Sequence, residues 1–176
     1  MNQYFIKIDP IKECVRAFGQ SRMVSRWESG EIAFKSKGPT FAVKGSSQLA
    51  PEIQHGDELW IWTHEDNGGQ GLVAKATAAS ADITGEVLRV ILKDVVLVPS
   101  PFDFDKFKKN PGNGHYTGTR LLDYKSISRG TGVCLIEDDD YVDFVDVVEK
   151  FGGKFPSPSE ANGLEIATPP SAVLMG

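Results

Sequence analysis

Three extended runs in close succession, Glu58 to Thr63, Gly71 to Ala79 and Val87 to Val98, restrict this chain more than any other feature. They are joined by Asp66-Asn67-Gly68-Gly69 and by Ile83-Thr84-Gly85, residue types that accept the positive φ angles of tight turns. Connections this short leave consecutive strands as antiparallel neighbours, so a β-meander is expected. Val90, Leu92, Val95 and Leu97 do not keep one unbroken alternation, which places a bulge near Lys93-Asp94. Bulged strands bend, and a bent meander can close into a small barrel.

Other elements fit around this meander. Gln3 to Ile8 alternates as a first strand, and Asp9-Pro10 opens a helix over Ile11 to Phe18 that stops at Gly19. The stretch to Gly38-Pro39, which contains Trp27, reads as a short helix and a loop. Thr40 to Lys44 reads as a strand by its pattern, and Ser47 to Ile53 as a short helix. A long connection from Pro99 to Gly118 carries one helical turn around Phe102 to Lys108, and Thr119 to Lys125 reads as another short helix. Gly132 to Ile136 is a last strand. Apolar residues at 141, 144, 145, 148 and 151 give a helix over Tyr141 to Phe151, capped by Asp140 and ended by Gly152-Gly153. The fold class is α+β, a small and mostly antiparallel β-barrel flanked by short helices. Residues 1–153 form the domain, and 154–176, rich in Pro and Ser, read as a flexible tail or linker to which a further module could be attached.

A chain of 176 residues with 40% hydrophobic content can bury one sizeable core. It holds no apolar run long enough to span a bilayer, and Met1-Asn2-Gln3-Tyr4 lacks the basic and apolar regions of a signal peptide, so a cytoplasmic protein with no membrane partner is expected. Cys14 and Cys134 are isolated and read as buried thiols.

The net charge of -5 conceals a strong asymmetry. Residues 1–45 carry eight Lys/Arg against four acids, a local +4, and residues 101–130 carry six against three, a local +3. Residues 137–150 carry seven acids and one lysine, a local -6. A fold that joins the two basic segments would offer a positive face to phosphates; solvated helices and loops explain the same counts equally well.

Catalytic patterns are sparse. Gly68-Gly69-Gln70-Gly71 lies in a turn with no helix after it, unlike a phosphate-cradling loop. His55, His64 and His115 are not spaced as metal ligands, and Glu137-Asp138-Asp139-Asp140 is explained by the dipole at a helix start. The expectation is a binding module with no metal, no cofactor and no catalytic residues. Trp60 and Trp62, with His64 two positions on, project to one face of their strand. If that face is open, it is a stacking platform; if it is closed, it is core.

The order of motifs resembles an EVE domain of the PUA-like superfamily. Tyr4-Phe5-Ile6-Lys7-Ile8-Asp9-Pro10 is similar to that family's opening, Gly56-Asp57 with a strand ending at Trp62-Thr63-His64 to its Gly-Asp strand, and Gly71-Leu72-Val73-Ala74-Lys75-Ala76 to the small-residue strand that follows. Trp27-Glu28-Ser29-Gly30 departs from it, because the arginine-asparagine pair that the family carries there is missing. The resemblance implies a PUA-like barrel with an aromatic pocket for a base turned out of double-stranded DNA, often a methylated or hydroxymethylated cytosine. It further implies a restriction context, with a fused HNH nuclease or a second copy of the chain as further partners. On that reading Trp62 and Trp27 stack on the base, Trp60 and Phe41 add wall, and His64, Ser46 and Ser47 contact its edge or the backbone. Lys7, Arg22, Arg26, Lys44, Lys106, Lys108 and Lys109 hold phosphates. Two alternatives stand beside it: an RNA-binding PUA-like module, and a small ASCH-type hydrolase in which Lys75 would meet Asp57 or Glu58.

Overall fold

The computed structural model describes residues 1–8, 30–35, 41–43, 49–65, 69–109 and 132–155. Seven strands form one mixed sheet: β1 (Gln3–Ile8), β2 (Glu31–Lys35), β3 (Phe41–Val43), β4 (Glu58–Thr63), β5 (Gly71–Thr84), β6 (Val87–Phe102) and β7 (Val133–Ile136), in the order β2-β6-β5-β4-β1-β7-β3. Among the described residues two helices accompany it, α1 (Phe104–Lys109) and α2 (Asp138–Gly152). The α+β class and the mostly antiparallel pairing are as expected, with parallel ladders, among the described residues, only between β1 and β4 and between β3 and β7.

The meander β4-β5-β6 forms through two-residue and longer turns, Gly85 supplying a φ of 62° at the tip of the second hairpin. Its last two strands run further than the sequence pattern reaches. β6 continues through Pro99 and Pro101, which lack a backbone donor, and the ladder there skips from Ala74 opposite Leu97 to Leu72 opposite Phe102. The bulge expected near Lys93-Asp94 is present: Asp94 has a φ of 51°, and pairing jumps from Thr77 opposite Lys93 to Lys75 opposite Val96. Its consequence is a change of phase. Leu88, Val90, Leu92 and Val95 pack on one apolar cluster, whereas Val96, Val98 and Phe102 pack on another.

Those clusters occupy the two faces of the sheet. Tyr4, Ile6 and Ile8 join Leu59, Ile61, Val90 and Val133 on one face, while Phe5, Trp60, Trp62, Cys134 and Ile136 meet α2 on the other. β1 is consequently buried along its whole length. α2 lays Phe144, Val147, Val148 and Phe151 on the second face, and edge-to-face ring pairs such as Trp60 with Phe144 at 5.3 Å each add about 0.5–1.5 kcal/mol beyond area burial. Cys134 is a buried thiol, as expected.

Three expectations are corrected. Glu31–Lys35 is a strand, not part of a helix and loop, because it completes a ladder with Val87 to Ile91 of β6. Residues 49–53 are not helical; Ala50 and Ile53 pack into the first cluster from an extended segment. α2 begins at Asp138, so Asp140 is not its cap but a buried residue of its first turn, its N–H donating to the Glu137 carbonyl. Its end is as read, Gly153 donating to the Glu149 carbonyl at 3.0 Å. Phe155 is buried against Trp60 at a ring separation of 5.8 Å, so the packed unit extends at least to residue 155. The helices expected over Ile11 to Phe18 and Thr119 to Lys125, Cys14, His115 and the tail from 156 lie outside the described residues. No helix among the described residues is long and apolar enough to cross a membrane.

Candidate nucleic-acid interface

Strand register decides which connections meet. Thr63 ends β4 opposite Ile8 of β1 and opposite Gly71 of β5; Phe102 ends β6 beside Leu72; Val133 starts β7 opposite Ile6 and beside Phe41 of β3. One end of the sheet therefore collects the departure of the chain after Ile8, the 64–70 loop, the start of the connection after Phe102 and its return at Gly132. Backbone bonds draw these pieces together: His64 N–H donates to the Ile8 carbonyl at 2.9 Å, and Lys7 N–H to the Gly132 carbonyl at 2.8 Å. The approach is closest at Gly71, where a Cβ would sit 2.1 Å from the Phe102 carbonyl oxygen and φ is +82°. Only glycine fits there.

At this end stand His64, half-buried just past β4, and α1, whose exposed Lys106 donates from Nζ to Ser100 Oγ at 3.1 Å. Asp103 caps α1 by accepting from Lys106 N–H at 2.7 Å, and Lys108 and Lys109 follow in the same helix. Phe41 opens β3 in register with Val133. The 64–70 loop is braced at its base. Gln70 N–H donates to Thr63 Oγ1 at 2.9 Å, that hydroxyl donates to the Gly71 carbonyl at 3.2 Å, and Gly69 N–H donates to the His64 carbonyl at 2.9 Å.

The opposite end carries the acids and the motif residues of the Gly-Asp turn. Asp57 is buried and accepts from Asn2 N–H and Gln54 N–H, each at 2.8 Å, and Tyr4 donates its hydroxyl to the Pro51 carbonyl. Burial, then the charge of Asp57, pushes the Tyr4 phenol well above its ordinary 10.0. Glu58 Oε1 accepts from Trp60 Nε1 at 2.7 Å and from Tyr141 Oη at 2.6 Å, which ties the start of α2 to this end. Burial and the bond to Glu58 likewise push the Tyr141 phenol well above its usual value. At its other end α2 places Gly152 against Val98 and Phe102. The exposed acids of its first half, Asp138, Asp139 and Asp143, thus lie toward the end away from His64.

Several expected site residues are not where the platform reading needs them. Trp60 and Trp62 are each 1% exposed, covered by Phe144, Phe155, Phe5 and Phe102, with their indole N–H groups bonded to Glu58 and Glu65. Neither offers a ring face to a base; both are core on the outer side of the sheet, because α2 needs an apolar surface and this one matches it. Lys7 is 9% exposed within the central strand and is not a surface cation. Lys75 places its ammonium over the Phe155 ring at 4.7 Å and the Trp60 ring at 5.6 Å, while Asp57 accepts from Asn2 and Gln54 and Glu58 from Trp60 and Tyr141. Trp27, Ser46, Ser47, Arg22, Arg26 and Lys44 lie outside the described residues. Strand register puts Phe41, His64 and helix α1, which carries Lys106, Lys108 and Lys109, at the same end of the sheet. The sequence reading missed Thr63 and Glu65, whose only signal was their place beside Trp62 and His64.

Comparison with known proteins gives few matches. No family model and no curated protein matches the chain. Among solved structures it is similar to the NMR structure of Rpa0253 from Rhodopseudomonas palustris, with 15% identity over 89% of this chain and 97% of that one and a TM-score of 0.49. It is also similar to the crystal structure of human THYN1 protein in complex with DNA containing 5-methylcytosine, with 9% identity over 89% of this chain and 100% of that one and a TM-score of 0.49.

Proposed function

We propose that this chain is a nucleic-acid-binding module that receives its ligand at the loop-bearing end of the sheet and performs no chemistry on it. The observation that carries the reading is that His64, Phe41 and the lysine-bearing α1 lie at one end of the sheet by register, with the exposed Asp138, Asp139 and Asp143 of α2 toward the other. Over α1 the three lysines outnumber Asp103 and Asp105, and a local excess of cations attracts an approaching polyanion before contact. The ligand we assign is duplex DNA with a modified cytosine turned out of the stack, the class implied by the sequence motifs. Turning a base out costs a few kcal/mol, which one stacked aromatic at about 1–3 kcal/mol and edge hydrogen bonds can offset. With Trp60 and Trp62 in the core, that aromatic is Trp27 or Phe41, and His64 supplies a polar contact.

The test is fluorescence anisotropy with one sequence in three forms: methylated duplex, unmodified duplex and single-stranded RNA, titrated across salt. The methylated duplex should bind tightest, and replacing Lys106, Lys108 and Lys109 by Ala should weaken all three ligands and reduce the log–log salt slope by about 0.9 per lost phosphate contact. Salt-independent binding, or none, overturns the proposal; tighter binding of RNA moves the ligand to that class.

A further inference from the structure

Trp62 has a polar bond that its packing does not require. Its Nε1 donates to Glu65 Oε1 at 2.8 Å, reaching from the covered face of the sheet into the loop that begins at His64. His64 stands between the two partners in sequence, and its own backbone groups are both engaged, the N–H with the Ile8 carbonyl and the carbonyl with Gly69 N–H. A Cβ at Gly69 would meet that carbonyl oxygen at 2.3 Å, so the loop presses directly on His64. Thr63 is locked by its hydroxyl on the preceding side. The Glu65 side chain is a tether on the following side, and it is held by a tryptophan that cannot itself touch a ligand.

We infer that Trp62 and Glu65 are positioning residues for His64, fixing this half-buried imidazole before nucleic acid arrives. The inference rests on the proposed binding function for its consequence in affinity, though not for its consequence in the free protein. A pre-set side chain loses less freedom on binding, which corresponds to roughly a two- to tenfold gain in affinity for one immobilised group. The tryptophan thereby acts through its N–H while its ring serves the core.

The experiment compares W62F, E65A, E65Q and H64A. W62F keeps an aromatic ring and removes the donor; E65A removes the acceptor on a half-buried loop residue; E65Q keeps an acceptor oxygen. In the free protein, NMR of the His64 ring should show W62F and E65A shifting or broadening its resonances while E65Q leaves them near the wild-type position. In duplex binding, W62F and E65A should each lose about two- to tenfold, E65Q should bind as the wild type or tighter, and W62F should add nothing in an H64A background. Unchanged His64 resonances in W62F and E65A overturn the inference, as does a W62F loss that persists undiminished beside H64A. A wild-type chain that binds no nucleic acid while those resonances do move overturns the function alone.

Discussion

Removing the Glu58 carboxylate should cost the fold far more than its half-buried position suggests. Oε1 of this residue accepts from Trp60 Nε1 at 2.7 Å and Tyr141 Oη at 2.6 Å, so one oxygen joins β4 to the first turns of α2. In E58A the indole N–H is left without its acceptor at a position 1% exposed, a desolvation cost of about 1–3 kcal/mol. Tyr141 is half-buried and can turn its hydroxyl to water, so its lost bond adds only about 1 kcal/mol. The sum is about 2–4 kcal/mol. Y141F alone removes the second bond and leaves the first, for about 1 kcal/mol, and the double variant should cost less than the two single losses together because they share that bond. E58Q retains an acceptor and should fall between wild type and E58A. Urea unfolding followed by tryptophan fluorescence measures all four. An E58A loss below about 0.5 kcal/mol, or strict additivity with Y141F, would refute the assignment of this oxygen as the joint between sheet and helix.

Other outcomes follow from the same structure. F155A should lose about 2–4 kcal/mol, since Phe155 covers Trp60 and carries the Lys75 ammonium on its face, and a thermal melt that matches wild type would remove residue 155 from the packed unit. Gly71→Ala should prevent stable folding or cost at least about 3 kcal/mol, because positive φ and the Phe102 backbone both exclude a Cβ; circular dichroism and urea unfolding report this. The raised phenols of Tyr4 and Tyr141 contribute stability that is fully present below their unfolded value of about 10 and is lost as pH rises above it. Wild-type stability should therefore drop between about pH 10 and 12, and Y4F and Y141F should each flatten that drop.

Most of the sheet was legible because period-two patterns and turn residues act locally. The strands around Gln3 to Ile8, Glu58 to Thr63 and Val133 to Ile136 are short runs rich in apolar, aromatic and β-branched residues, which mark strands without reference to the rest of the chain. β2 was not legible in the same way. Glu31 to Lys35 alternates, but it sits among charged residues, and its pairing with β6 is made with a strand far away in sequence. β5 and β6 outran their expected ends because mutual pairing overrides the prolines and polar residues that locally mark a stop. The site was harder still. Trp60 and Trp62 lie on one face of β4, yet alternation cannot say what covers that face. A clue was nevertheless present: Leu59 and Ile61 make the other face apolar too, and a strand apolar on both faces belongs between two layers. The apolar stripe of α2 supplied the second layer.

The middle position of β1 governs how this molecule can be made. Its neighbours are β4, from the middle of the chain, and β7, from near the end of the described fold, so β1, the earliest of the described strands, is completed only when β7 arrives. Until Val133 to Ile136 leave the ribosome, one side of Gln3 to Ile6 has no hydrogen-bonding companion, and both its apolar faces await cover. Nascent chains of this kind depend on being kept apart from one another, and any version ended ahead of residue 136 should gather into aggregates rather than settle as a smaller stable unit.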